Sequence, residues 1–148
     1  MVQRKIPKRQ ITYQYTYKQQ GICANKKTKK MKEGERIIQI VCNYFERDAN
    51  EVKSPNQLRE NVVPRQMSMY LMRRNTKLSL TEIGRHFIGR KGKPKDHSTV
   101  IHSVNTIETL IECGWEYQGL EMMDHVEVIE KIIKRKTEPT LIKLYRYS

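Results

Sequence analysis

The stretch that decides the fold reads LSLTEIGRHF over residues 78–87 and, after a Gly- and Lys-rich turn, DHSTVIH over residues 96–102. Ser79 suits the N-cap of a helix, and Glu82 stands three residues later, which is the spacing of a capping box. Apolar residues then recur on one helical face. We therefore predict a short helix here, in which Gly84 lets another helix approach closely.

A second helix is predicted after the turn. Asp96 suits its N-cap, and an inward apolar stripe follows at helical spacing, formed by Val100, Val104, Ile107 and Ile111. Two helices joined by a turn, with a small residue in the first and a polar start to the second, are typical of a DNA-binding helix-turn-helix. Helical hairpins with other roles share this periodicity, so the pattern alone leaves both interpretations open.

Further helices are predicted before this unit. From Gly34, apolar residues at three- and four-residue spacing form one face, consisting of Ile37, Ile38, Val41, Cys42 and Phe45. Residues 48–55 should break that helix. The next helix should begin near Val63, because Pro64 suits a first helical turn, and end near Asn75. Its predicted inward positions are Met67, Tyr70, Leu71 and the stem of Arg74.

The N-terminal segment is strongly basic. Residues 1–33 hold ten Lys or Arg and one acid, Glu33, so nine of the thirteen net positive charges lie there. The alternation from Ile11 to Tyr17 predicts a short strand, and Lys26–Lys32 predicts a flexible linker. A positive excess of this kind favours a polyanionic partner such as nucleic acid.

The C-terminal segment should pack back on the body. Residues 120–133 predict a helix with Met123, Val126, Ile129 and Ile133 on its inner face, and residues 140–147 alternate like a short strand. We therefore divide the chain into a basic arm (1–33), a helix-turn-helix domain (34–114), and a C-terminal helix with a tail (115–148). The expected fold class is mainly α, a helix-turn-helix bundle.

Several classes of protein are disfavoured by what the sequence lacks. Three widely spaced cysteines give no disulfide framework or metal site, and Cys42 and Cys113 are expected to be buried; the four histidines (His86, His97, His102, His125) lack zinc spacing. No apolar run is long enough for a membrane span and no signal peptide is recognisable, so we expect a cytoplasmic protein. Without a Walker loop or a catalytic grouping, we expect no cofactor, no nucleotide and no enzymatic activity.

Residues from about Gly34 to Ile111 resemble the C-terminal DNA-binding domain of the bacterial replication initiator DnaA. Three segments carry the resemblance in order: PRQMSMY at 64–70, LSLTEIG at 78–84 and DHSTVIH at 96–102. The resemblance implies an all-helical, Trp-repressor-like fold. It also implies binding of a short asymmetric element of double-stranded DNA through both grooves, which favours a monomer.

The resemblance also implies roles for individual residues. Base contacts in the major groove are expected from Asp96, His97, Ser98 and Thr99, with Leu80 and Thr81 near the bases. Phosphate contacts are expected from Arg65, Gln66 and Arg73, and the nearest matches to the family's minor-groove arginine are Gln57 and Arg59. A helix start suits these roles because its free N–H groups favour phosphates. Asp96 as a plain N-cap and His97 as a solvated side chain stay open as alternatives.

Three features depart from the family pattern. The expected minor-groove loop, residues 54–63, has far fewer arginines than is usual in the family. Ser98 replaces a threonine and so lacks a methyl group that could meet a thymine. The turn before the second helix is longer by about five residues, which adds Arg90, Lys91, Lys93 and Lys95 beside the expected groove. We therefore expect a DNA site that differs from the family's standard element.

The function expected from these patterns is sequence-specific binding of double-stranded DNA by a stand-alone initiator-type domain, as an accessory replication or transcription factor. The rival is an RNA-binding or protein-interaction adaptor with a basic arm. In that rival, Tyr13, Tyr15 and Tyr17 would supply the aromatic platform that RNA recognition often uses.

Overall fold

The structure, a computed structural model, describes residues 26–135. They form six helices and one two-stranded antiparallel sheet, in the order α1 (Lys26–Tyr44), α2 (Ala49–Lys53), α3 (Arg59–Asn75), α4 (Leu80–Gly84), α5 (His97–Glu112), β1 (Glu116–Tyr117), β2 (Leu120–Glu121) and α6 (Met122–Arg135). The mainly helical class is confirmed. The strands predicted at 11–17 and 140–147 lie outside the described residues and stay predictions.

Helix α3 is the centre of the hydrophobic core. It packs against each of the other five described helices, so apolar side chains on most of its surface are buried. Of the predicted inward positions, Met67, Tyr70 and Leu71 are buried, and Met69 and Met72 join them. The prediction for Arg74 is wrong, because its side chain is exposed and pairs with Glu130. The other helices contribute the remaining apolar residues to one continuous cluster, including Ile37, Ile38, Val41, Cys42 and Phe45 from α1 and its end, and Val100 and Ile107 from α5.

The flexible linker predicted over Lys26–Lys32 is wrong, because these residues form the first turns of α1. Lysine is a good helix former, and the sequence has no Gly or Pro between Ala24 and Glu33. The helix therefore extends N-terminally from the half that is anchored in the core. The basic segment and the helix-turn-helix body overlap in one continuous helix.

The predicted start of α3 near Val63 is also wrong, because the helix begins at Arg59. The carbonyl of Leu58 accepts from the N–H groups of the first turn, and Pro64 is accommodated within the helix. A proline at this position, past the first turn, removes the backbone donor that would otherwise bond the Glu60 carbonyl. The predicted break at residues 48–55 contains α2, which Asp48 caps by accepting from the Asn50 N–H at 3.1 Å.

A β-hairpin that the sequence did not reveal connects α5 to α6. Strands β1 and β2 are joined by Gln118 and Gly119, whose φ values of 53° and 82° are both positive, as a two-residue type I′ turn requires. Met122 follows directly, and its N–H donates to the Trp115 carbonyl at 2.9 Å. This bond turns Met122 into the core, and the predicted inward position of Met123 is wrong, since Met123 is 41% exposed.

The cysteines differ in their surroundings. Cys42 is buried as predicted, and burial raises the pKa of its thiol to about 12. Cys113 is exposed, which corrects the expectation of a buried residue. It caps the end of α5 immediately before Gly114, whose positive φ of 65° turns the chain away from the helix.

A buried polar cluster fixes α1 and α2 to the segment after α4. Glu35 pairs with Lys53, and its second carboxylate oxygen lies 3.3 Å from Nδ1 of His86. Burial acts to raise the pKa of Glu35, but His86 and Lys53 hold it below its ordinary value of 4.5. Gly34 lies against this cluster, and a Cβ there would be 2.5 Å from Nε2 of His86, so a side chain at this position would displace the imidazole.

Candidate nucleic-acid interface

Helix α4 begins with the predicted capping box. Oγ of Ser79 accepts from the Glu82 N–H at 3.2 Å, and Oε2 of Glu82 accepts from the Ser79 N–H at 2.7 Å. The helix ends at Gly84, earlier than the predicted end at Phe87, and tighter turns follow it. Its first turn carries Leu80, which is half-buried, and Thr81, which is exposed. Both are therefore positioned by a helix start that the cap holds firmly.

Gly84 is the point where α4 meets the start of α5. A Cβ at Gly84 would lie 2.2 Å from the carbonyl oxygen of Lys95, a separation too short for any side chain. The Lys95 N–H also donates to the Phe87 carbonyl at 3.0 Å. The predicted close approach at Gly84 is confirmed, although its neighbour is the last residue of the turn. The start of α5 is thereby fixed relative to α4.

The first turn of α5 presents polar side chains to solvent. Oδ1 of Asp96 accepts from both the backbone N–H and the hydroxyl of Thr99, at 2.9 and 2.8 Å. These two bonds, the backbone one foremost, lower the pKa of Asp96. His97 and Ser98 are exposed and Thr99 is half-buried. The N-cap interpretation of Asp96 is therefore confirmed, and the base contacts of all four residues stay predictions.

The longer turn before α5 is an ordered basic loop, residues 88–95. Ile88 and Pro94 form an antiparallel bridge, and the Gly89 N–H donates to the Lys93 carbonyl at 2.7 Å. Gly92, with a positive φ of 72°, makes the tight bend between them. The loop presents three exposed cations near the first turn of α5, namely Arg90, Lys91 and Lys93.

Lys95 connects the basic loop to the rest of the positive surface. Its pKa is lowered, first by partial burial and then by the charges of Arg65 and Arg90, and Asp96 offsets this only in part. The positive charges of Arg65 and Arg90 therefore lie close enough to Lys95 to disfavour its charged form, and Asp96 is the acid that opposes them. The region therefore has the electrostatic character of a phosphate-binding surface.

The three expected phosphate contacts on α3 have different surroundings. Arg73 is exposed and Gln66 is half-buried, whereas Arg65 is only 5% exposed. Nε of Arg65 donates to the Val52 carbonyl at 2.6 Å, and its buried Nη2 has no partner among the described residues. Burial lowers the pKa of this guanidinium. Arg65 therefore bridges α2 and α3, and its phosphate contact stays a prediction.

The two expected minor-groove residues lie at the start of α3. Gln57 is exposed and its amide donates weakly to the Pro55 carbonyl, at 3.4 Å. The guanidinium of Arg59 lies 4.7 Å from the ring centroid of Trp115, a cation–π arrangement. Sequence reasoning missed this contact, and no local signal reveals it, because Trp115 is far away in the chain. The entry of these two residues into the minor groove stays a prediction.

Within residues 26–135, no cluster of His, Cys, Asp and Glu has the makings of a metal site, and no helix is long and apolar enough to cross a membrane.

A search for similar proteins gives one consistent result. The family model described as the bacterial dnaA protein helix-turn-helix matches residues 34–107, which is half of the chain. The chain belongs to the DnaA helix-turn-helix family. The match contains every residue expected to contact DNA, so the resemblance seen in the three sequence segments is confirmed.

The chain is also similar to proteins named chromosomal replication initiator protein DnaA. The chain is 47% identical over 82 residues to the chromosomal replication initiator protein DnaA of Chlorobaculum tepidum, covering 55% of this chain and 16% of that protein. It is 40% identical over 97 residues to the protein of the same name from Geotalea daltonii, covering 66% and 20%. The chain thus spans a fifth or less of these relatives' length.

Membership in the DnaA helix-turn-helix family supports DNA binding, and this kind of domain is not an enzymatic one. The match ends at Ile107, inside α5. The hairpin and α6 follow it, and α6 contributes buried residues to the same hydrophobic core.

Proposed function

We propose that this chain binds double-stranded DNA sequence-specifically, with the first turn of α5 in the major groove, as an accessory factor in replication or transcription. The observation that carries the proposal is the exposed polar start of α5, held in place by the Asp96 cap and by the close contact between Gly84 and Lys95. A rigid helix start with free N–H groups is suited to a phosphate-lined groove.

The base contacts divide between two helices in this proposal. His97, Ser98 and Thr99 meet base edges from α5, and Leu80 and Thr81 lie near the bases from the start of α4. The exposure of His97, Ser98 and Thr81 supports these roles. Asp96 contributes through its second carboxylate oxygen, which can accept from a cytosine amino group while Oδ1 remains bonded to Thr99.

The phosphate contacts surround the reading surface, by which we mean the residues proposed to contact bases from α4 and α5. Arg73, Gln66 and the four cations of the basic loop, Arg90, Lys91, Lys93 and Lys95, bind the backbone on either side of the groove. Arg65, which is only 5% exposed and bonded to the Val52 carbonyl, contributes its positive charge beside Lys95. Gln57 and Arg59 reach toward the adjacent minor groove, with Arg59 oriented by Trp115. The site is asymmetric, so one copy binds per site.

The experiment begins with selection of a preferred duplex from random DNA by the full chain. On that duplex, His97→Ala and Thr99→Ala should each weaken binding by about 1–3 kcal/mol and leave affinity for an unrelated duplex nearly unchanged. Thr109→Ala is the matched control, because Thr109 is an exposed threonine near the other end of α5. Thr99→Ser keeps the hydroxyl that bonds Asp96 and separates base contact from capping.

Equal losses on the preferred and the unrelated duplex would remove His97 and Thr99 from base reading. A chain that enriches no duplex would contradict the proposed function as a whole.

A further inference from the structure

One large apolar residue on α5 is exposed, although other apolar residues of this helix are buried in the hydrophobic core. Ile101 is 41% exposed, whereas Val100 and Ile107 on the same helix are fully buried. The neighbours of Ile101 on the exposed face are polar, namely His97, Ser98, His102 and Asn105. The exposed part of the Ile101 side chain gains nothing from the core, so this apolar surface is free to be buried against a partner.

The position of Ile101 on the helix relates it to the proposed reading surface. It follows His97 by four residues and Ser98 by three, so all three lie on one face. Four residues advance a helix by about 6 Å along its axis. Any placement that brings His97 and Ser98 to base edges therefore carries Ile101 into the same groove, one turn deeper along it.

The side chain of Ile101 has no hydrogen-bonding group, which limits what it can recognise. Among the groups that base pairs present in the major groove, the thymine methyl is the apolar one. A hydrocarbon side chain against that methyl removes apolar surface of both partners from water. Against the donors and acceptors of the other bases, the same side chain would displace water without replacing its hydrogen bonds.

We propose that Ile101 is a specificity-determining residue that contacts the methyl group of one thymine, one helical turn beyond the base contacted by His97. This inference rests on the proposed function, because it requires α5 to lie in the major groove. It extends the reading surface past the first turn of the helix. It also compensates for Ser98, which lacks the methyl group that a threonine would offer.

The experiment replaces thymines of the selected duplex by uracil, one at a time, which removes a methyl group and changes no hydrogen bond. For the wild-type full chain, replacing the one thymine that Ile101 contacts should weaken binding by about fourfold. This is the effect of withdrawing one methyl group from an apolar contact. Ile101→Ala should bind the thymine duplex several-fold more weakly and should no longer distinguish uracil from thymine at that position. Its response at the other positions should match that of the wild type.

Met123→Ala is the matched control, because Met123 is also 41% exposed but lies on α6. This variant should keep the wild-type uracil profile. Alanine is well tolerated on an exposed helix face, so the melting temperature of Ile101→Ala should stay close to that of the wild type. An unchanged melting temperature would show that weaker binding by Ile101→Ala comes from the lost DNA contact and not from unfolding of the protein.

The outcomes are distinct. If the wild type selects a duplex and Ile101→Ala retains the same uracil profile, the inference fails and the proposed function stands. If the wild type selects no duplex at all, both fail.

Discussion

The close contact between Gly84 and Lys95 allows a direct test of how the start of α5 is positioned. In Gly84→Ala the new Cβ would stand 2.2 Å from the Lys95 carbonyl oxygen, and real contacts are essentially never below 3.0 Å, so the two segments must separate by at least the difference. Crowding of this kind costs about 1–3 kcal/mol. The better helix propensity of alanine returns about 1 kcal/mol at most. We expect a net loss of up to about 3 kcal/mol, together with a displaced start of α5.

Both effects are measurable on the same protein. Urea unfolding followed by circular dichroism gives the free energy of unfolding, and fluorescence anisotropy gives affinity for the selected duplex under conditions where the variant is folded. Affinity for the preferred duplex should fall more than affinity for an unrelated one. Gly89→Ala is a graded control, because its Cβ would lie 3.2 Å from the Lys93 carbonyl and requires only a slight adjustment. Wild-type stability and affinity in Gly84→Ala would refute the reasoning.

Three further predictions concern charged residues. Arg65→Ala should lower the free energy of unfolding by about 2–4 kcal/mol, because it leaves a cavity and an unpaired Val52 carbonyl; unchanged urea unfolding would contradict the buried position. Because the pKa of Glu35 is lowered in the folded state, the stability it provides is present above its ordinary pKa of 4.5 and is lost as pH falls through the folded value. Glu35→Gln should remove that part of the acid dependence, as thermal unfolding at several pH values would reveal; an unaltered profile would argue against the paired carboxylate. Lys91→Ala should reduce the slope of log affinity against log salt by about one unit, whereas the control Lys131→Ala on α6 should leave it unchanged; equal slopes in all three proteins would exclude Lys91 from the phosphate contacts.

Features encoded by neighbouring residues could be predicted from the sequence. The capping box of Ser79 and Glu82 and the N-cap at Asp96 depend on side chains three residues apart, and both are present in the structure. The inward stripe of α5 follows from helical periodicity, and Val100 and Ile107 are fully buried. The central part of the fold, the helix-turn-helix, is therefore visible in the sequence alone.

Features that depend on distant residues could not be predicted. Arg65 appears in the sequence as a cation at a helix start, and only the packing of α2 against α3 buries it beneath the Val52 carbonyl. The stacking of Arg59 on Trp115 likewise depends on the hairpin after α5. The early start of α1 was missed because linker composition and helix propensity favour opposite outcomes for a lysine-rich segment.

The central claim is that this chain reads double-stranded DNA, and a competition measurement tests it most directly. A labelled copy of the selected duplex is bound to the full chain at physiological salt and then displaced by unlabelled selected duplex, unrelated duplex or single-stranded RNA. We expect the unrelated duplex to require an excess of about a thousandfold or more, as is typical of specific DNA binding, and RNA to compete no better than that duplex. Displacement by RNA or by unrelated duplex at the same concentration as the selected duplex would contradict the claim.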